Sequence, residues 1–245
     1  MAYKLIALDM DGTLLNKEKQ ISEQNRKWIQ AAIEAGIHVT LATGRPFRDA
    51  VVYARQLNLR SPLIINNGSE VWSLPETLHT RCELDPQLVN RILSELLTEY
   101  GEKVDFWAHT VEQRIDRSNV PENTASLRWL QFAVRSSDAV VLAEIRSTLE
   151  SWNAFEISNS HITNIECNAL GVSKASGLLE ACNRLGIDMS EVIAVGDSLN
   201  DIPMIRAAGL GVAMGNAQDE VKLAADVIAP SNHEDGVAHI IQTYI

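Results

Sequence analysis

Two rhythms of apolar residues alternate along most of the chain. Short unbroken runs such as "LIAL" at 5–8 and "VIAVG" at 192–196 read as strands buried on both faces. Between them lie apolar residues at helical spacing: Trp28, Ile29, Ala32 and Ile33 predict a helix over about 22–35 that Gly36 ends. The strand "IHVTLAT" follows, then "RPFRDAVVYARQLNL", whose Pro46 suits a first helical turn, then the strand "PLIINN". The same rhythm returns near the end. "GVSKASGLLEACNRLG" predicts a helix capped by Ser173 and closed by Gly186, and "VIAVGD" a strand. The helix "SLNDIPMIRAAG", the strand and turn "LGVAMGNA", then "QDEVKLAAD", "VIA" and the helix "DGVAHIIQTYI" complete it. Strands joined by helices imply right-handed crossovers, so both ends of the chain are expected in one doubly wound parallel sheet of the α/β class.

From about residue 83 to 167 the pattern changes. "DPQLVNRILSELLTEY" is an amphipathic helix followed by two strand-like stretches, "KVDFWAH" and "EQRIDRS". "DAVVLAEIRSTLESW" is a second, followed by "AFEISNS" and "TNIECNA", with "LRWLQFAV" joining the two halves. Helix-strand-strand repeated twice predicts an inserted α+β domain at 83–167, leaving 1–82 and 168–245 as the core. Trp107, Trp129 and Trp152 fall in the insertion and are expected to pack in its core.

Composition narrows the functional classes. The 245 residues carry a formal charge of -11 with no clustered Lys and Arg, which argues against nucleic-acid or anionic-membrane partners. The amino terminus runs into the first strand without a leader pattern, and no apolar run reaches membrane-spanning length, so a cytoplasmic protein is expected. Cys82, Cys167 and Cys182 are widely spaced, which predicts reduced thiols and neither a disulfide framework nor a zinc site. The six histidines show no ligand spacing.

The chemistry is expected just beyond the carboxyl ends of the parallel strands, where the crevice of such sheets lies. Asp9 and Asp11 follow the first strand, Thr43 and Gly44 the second, and Asp197 follows "VIAVG", with Asn200 and Asp201 in the next helical turn. Lys174 opens the helix after the insertion. Carboxylates gathered at one crevice repel one another unless a cation holds them, and hard oxygen ligands suit Mg²⁺. The cation, Lys174, Thr43, Gly44 and backbone N–H groups would together admit a phosphoryl group into an acidic chain. Asp9 is then placed as a carboxylate nucleophile. Asp11, two residues on, can act as general acid and base while its backbone carbonyl reaches the metal.

"DMDGT", "LATGR", "GVSKASGL" and "GDSLNDIPM", in this order, resemble the four signature motifs of the haloacid dehalogenase superfamily, across nearly the whole chain. The insertion, the "NNGSEV" before it, and the later "AMGNA" and "DGVA" are similar to the Cof-type, class IIB sugar-phosphate phosphatases. The resemblance implies a Rossmann-like core with an inserted α+β cap, and hydrolysis of a small phosphorylated metabolite, a sugar phosphate, through an aspartyl-phosphate on Asp9. It implies Thr43 and Lys174 on the phosphoryl group, and Mg²⁺ on Asp9, the Asp11 carbonyl and Asp197. Asn200 and Asp201 would orient phosphate, lysine and a metal-bound water. Arg45, beside Thr43, reads equally as a substrate clamp or a surface arginine and stays outside the catalytic set. A monomer is the default, because such a cap can close without a partner. Three alternatives stay open: a phosphomutase of the same superfamily, a phosphoacceptor that does not turn over, and a sugar-phosphate sensor.

Overall fold

The computed structural model describes residues 3–245. In chain order the elements are β1 (Leu5–Leu8), α1 (Glu23–Glu34), β2 (His38–Leu41), α2 (Phe47–Gln56), β3 (Leu63–Ile65), β4 (Glu70–Ser73) and β5 (Thr77–Arg81). There follow α3 (Pro86–Arg91), a π-helical turn at Ile92–Leu96, α4 (Leu97–Tyr100), β6 (Asp105–Thr110), β7 (Arg114–Asp116), β8 (Trp129–Arg135), α5 (Ala139–Ser151), β9 (Phe155–Ser158) and β10 (Asn164–Ala169). The chain closes with α6 (Lys174–Leu185), β11 (Val192–Gly196), α7 (Ile202–Ala207), β12 (Leu210–Ala213), α8 (Asp219–Ala224), β13 (Val227–Ile228) and α9 (Gly236–Tyr244). These fall into two compact units, residues 1–80 with 173–245, and residues 81–172. No helix among the described residues is long and apolar enough to cross a membrane.

The first unit is built on a parallel sheet of order β13-β12-β11-β1-β2. β1 lies inside it, between β11 and β2, and its alternate residues serve opposite faces. Ile6 and Leu8 pack with Ile29 of α1, Ala50 and Ala54 of α2, and Ile240 and Ile241 of α9. Leu5 and Ala7 pack with Leu178 and Ala181 of α6 and Met204 of α7. Both faces are covered, which is why the run is apolar without alternation. Asn25, fully buried in α1, accepts the backbone N–H of Ala238 at 2.9 Å and so ties α1 to α9. "PLIINN" joins the parallel sheet only through a bridge from Ala42 to Ile64; its main partner is β4, antiparallel, in a three-stranded sheet with β5. That hairpin, 70–81, was not legible in the pattern.

The second unit is a five-stranded antiparallel sheet of order β7-β6-β8-β10-β9, whose core is shared with α3 to α5. The expectation of a mere connector at "LRWLQFAV" is corrected here. Those residues form β8, the central strand, and are buried from Trp129 through Val134. Trp129 lies in the core beside Phe132, with its indole N–H donating to the Thr124 carbonyl at 3.0 Å. Trp152 packs against that core, but Trp107 does not belong to it, because Phe106 and Ala108 take the helix-facing side of β6. β10 runs to Ala169 and so crosses the expected core boundary at 167.

Candidate active site

Four strand and helix ends of the first unit converge on a cluster of three carboxylates and one ammonium group. Asp9 continues β1, its N–H donating to the Val195 carbonyl at 3.0 Å. Asp197 directly follows β11, and Asp201 lies in the helical turn that leads into α7. Oxygens of Asp9, Asp197 and Asp201 all lie within 4.8 Å of one another. Lys174, the first residue of α6, is fully buried and donates to Asp9 Oδ1 at 2.6 Å and to Asp201 Oδ1 at 2.7 Å. The other Asp201 oxygen accepts the backbone N–H groups of Asp197 at 2.9 Å and Ser198 at 3.0 Å. Such close packing needs glycine at two positions. A side chain on Gly196 would start 2.3 Å from Asp201 Cγ, and one on Gly12, whose φ is +88°, would start 2.4 Å from Asp197 Oδ2.

The charges are unevenly balanced. Burial, reinforced by the charges of Asp201 and Asp11, pushes Asp9 up to about 7 against the pull of Lys174. Burial together with the charges of Asp9 and Asp201 pushes Asp197 up to about 9. Burial acts to lower Lys174, but the Asp201 and Asp9 carboxylates outweigh it and hold the ammonium above its ordinary value. Asp9 Oδ2 is buried with no hydrogen-bond partner among the described residues. A buried orphaned oxygen beside two further carboxylates is a donor set that a hard divalent cation satisfies, so these residues fit Mg²⁺.

The remaining expected residues divide. Thr43 is buried, anchored by its N–H on the Ile64 carbonyl at 2.9 Å, and its hydroxyl accepts the Arg45 N–H at 3.1 Å. Gly44 lies beside Asn67, which also accepts a bond from the Asn200 amide at 3.1 Å. Asn200 Oδ1 is buried without a partner among the described residues. The side chain of Asp11 is bound elsewhere: Arg45 grips both of its oxygens, at 2.6 and 2.7 Å, and Lys19 donates at 2.6 Å. Burial works to raise Asp11, but these two cations outweigh it and hold it near 2.

Several residues of the site had no assigned role in the sequence reading. Arg45 is one, since its partner lies 34 residues away and no periodicity marks it. Asn216 and Asn232 are others. The Asn216 amide donates to the Gly12 carbonyl at 2.8 Å and its oxygen accepts the Asn232 N–H at 3.0 Å, while the Asn232 amide donates to the Leu15 carbonyl at 2.8 Å. The loop after β1 is therefore pinned from the ends of β12 and β13. The "AMGNA" stretch carries that signal, since an asparagine after a strand and a glycine is placed to bind backbone.

The family profile of the haloacid dehalogenase-like hydrolases matches residues 6–128 and 110–241. The chain belongs to this family. Haloacid dehalogenase-like relatives in sequence include a 5-amino-6-(5-phospho-D-ribitylamino)uracil phosphatase of Bacillus subtilis, 45% identical over 99% of this chain and 96% of the relative. A pyridoxal phosphate phosphatase of Escherichia coli is 29% identical, with both chains covered completely. In structure, a haloacid dehalogenase-like hydrolase from Bacillus subtilis matches with a TM-score of 0.88 at 26% identity, over 99% of this chain and all of that one. A subclass IIB sugar phosphatase of the superfamily matches at 0.86 and 24% identity, over 98% of each chain, and shares its fold. This haloacid dehalogenase-like protein is an enzyme, a phosphatase.

Proposed function

We propose that this phosphatase is a Mg²⁺-dependent phosphomonoester hydrolase of the cytoplasm that works through an aspartyl-phosphate on Asp9. The observation that carries the reading is the Asp9 carboxylate, with one oxygen on Lys174 and the other buried and free. Asp9 attacks phosphorus, the ester P–O bond breaks, and the leaving oxygen takes a proton from Asp11. Water then attacks the aspartyl-phosphate, giving its proton to Asp11, and inorganic phosphate leaves as Asp9 is restored. Mg²⁺ held by Asp9, the Asp11 carbonyl and Asp197, with Asp201 beside them, would supply charge neutralisation at the phosphoryl oxygens. Lys174 has a third hydrogen left for a phosphoryl oxygen, as Asn200 has a second amide hydrogen, and Thr43 and Gly44 complete the phosphate cradle. For Asp11 to move a proton, its carboxyl has to be released from Arg45 and Lys19.

The substrate class is a small phosphorylated metabolite of sugar-phosphate type. The 45% identity to a phosphatase of a phosphoribitylamino-uracil puts that compound first among those to try. The test is phosphate release from it, from sugar phosphates, from pyridoxal phosphate and from p-nitrophenyl phosphate, with and without Mg²⁺, by the wild type and Asp9→Asn. Release that needs Mg²⁺ and is abolished by Asp9→Asn is expected. Release that survives in Asp9→Asn would end the aspartyl-phosphate reading.

A further inference from the structure

The segment before α1, the first turn of α1 and the outward side of α2 border an open cavity of about 620 Å³ lined by Lys19, Arg26, Arg45, Arg48, Asp49 and Tyr53. Four cationic side chains thus meet two carboxylates, Asp49 in the lining and Asp11 at the inner end, in a chain whose formal charge is -11. None of Asp9, Thr43, Lys174, Asp197, Asn200 or Asp201 lines it. Arg26 is fixed across the cavity by its bond to the Gln56 carbonyl at 3.1 Å. Among the described residues Arg48 has only its exposed neighbour Asp49, at 3.5 Å, as an ion-pair partner. Lys19 and Arg45 close the inner end, both reaching Asp11.

Two features hold the inner cations in place, although the Lys19 side chain stays more than half exposed. Lys19 has φ of +58°, a conformation unfavourable for a residue with a side chain, and the Tyr53 hydroxyl donates to its carbonyl at 3.0 Å. The Tyr53 ring lies 5.3 Å from the Arg45 guanidinium and orients it. We propose that this cavity binds a polyanionic small metabolite bearing phosphate groups, at a place separate from the reacting phosphoryl group. Guanidinium forks match phosphate oxygens in pairs, and the volume is that of a metabolite site, well above what one phosphate ion fills. An occupant competes with Asp11 for Lys19 and Arg45, so binding is coupled to turnover.

Methylenebisphosphonate, a non-hydrolysable polyanion, is the probe. Calorimetry on the metal-free enzyme is expected to show binding that weakens about tenfold in each of Arg26→Gln and Arg48→Gln, as loss of a charge-assisted contact requires. Both variants should keep their kcat/KM for p-nitrophenyl phosphate within about twofold, since neither side chain bonds to Asp11. With Mg²⁺ in excess, the probe should change kcat in the wild type and not in the two variants. Absence of binding at millimolar probe, unchanged affinity in both variants, or loss of binding in Thr43→Val instead would overturn the site. Binding without any change in kcat would overturn the coupling. An enzyme inert towards every phosphate ester would sink the proposed hydrolase activity, while the calorimetric comparison would still decide the site.

Discussion

Asp197 is pushed up to about 9 by burial and by its neighbours Asp9 and Asp201, so without metal it keeps a proton at pH 7 that the unfolded chain has lost. Holding that proton costs the folded state up to about 4 kcal/mol, from the difference between pH 7 and the ordinary carboxyl value of 3.8. Asp197 is only partly buried, and solvent screening brings this to about 2 kcal/mol. Asp197→Asn removes the cost. A carboxamide oxygen still accepts the Thr13 hydroxyl, now 3.1 Å from Asp197, and the Ser198 hydroxyl can turn to accept from the new amide. In EDTA at pH 7 the variant should therefore melt about 4 to 8 °C above the wild type. The sign with pH follows from the raised value. Between about pH 4 and 9 the folded wild type holds more protons than the unfolded chain, so its metal-free stability falls as pH rises. The advantage of the variant should grow from pH 5 to pH 8 and close near pH 4. Adding Mg²⁺ should stabilise the wild type in proportion to its binding and stabilise the variant far less, with hydrolysis lost. Melting by calorimetry at three pH values, with and without Mg²⁺, measures all of this. A variant no more stable than the wild type in EDTA, or one equally favoured at pH 4.5 and pH 8, would show that the carboxylate cluster is not under the strain described.

Lys174→Met should leave Asp9 and Asp201 buried without their cation, costing about 3 to 5 kcal/mol in urea unfolding and abolishing turnover; near-normal stability would contradict the burial argument. Asn216→Ala should free the Gly12 carbonyl and lower kcat, with a stability loss of about 1 to 2 kcal/mol, and unchanged kinetics would show that the loop needs no pin. Burial pushes the Cys167 thiol up to about 12 and the Cys182 thiol up to about 11. Mass spectrometry after iodoacetamide at pH 8 should find Cys82 modified in the folded protein and the other two protected, and equal modification of all three would contradict their burial.

What the sequence made legible follows from what parallel sheets demand. A strand covered on both faces has to be apolar throughout, so β1, β2 and β11 stand out, and the residues at their carboxyl ends can be collected without any knowledge of their distances. Asp9, Thr43, Asp197 and Asp201 were found that way and Lys174 as the start of the helix after the insertion, and the structure brings the four charged ones into one cluster. β8 was hidden by the same property that made β1 visible. Its seven residues are apolar enough to be central, but they follow a long polar stretch, and such a run cannot be told from a connector by period alone.

Arg45 and Lys19 escaped for a different reason. Their effect depends on which carboxylate they meet, and that is fixed by the turn at Lys19 and by the position of α2 against the sheet, neither of which leaves a periodic mark. The consequence reaches the chemistry. Two carboxylates only two positions apart are driven in opposite directions, Asp9 up to about 7 by burial and Asp11 down to about 2 by its cations. In a reaction that needs a nucleophile and a proton carrier, the metal-free arrangement has the two groups poised the wrong way round. A divalent cation at the cluster favours the ionised Asp9, and loss of Arg45 and Lys19 from Asp11 favours its protonated form. The groups that hold Asp11 lie on the side of the basic cavity and not in the cluster of Asp9, Asp197 and Asp201. On the proposed mechanism, activation of this site would require two separate events, one at the acidic cluster and one at the cations that hold Asp11.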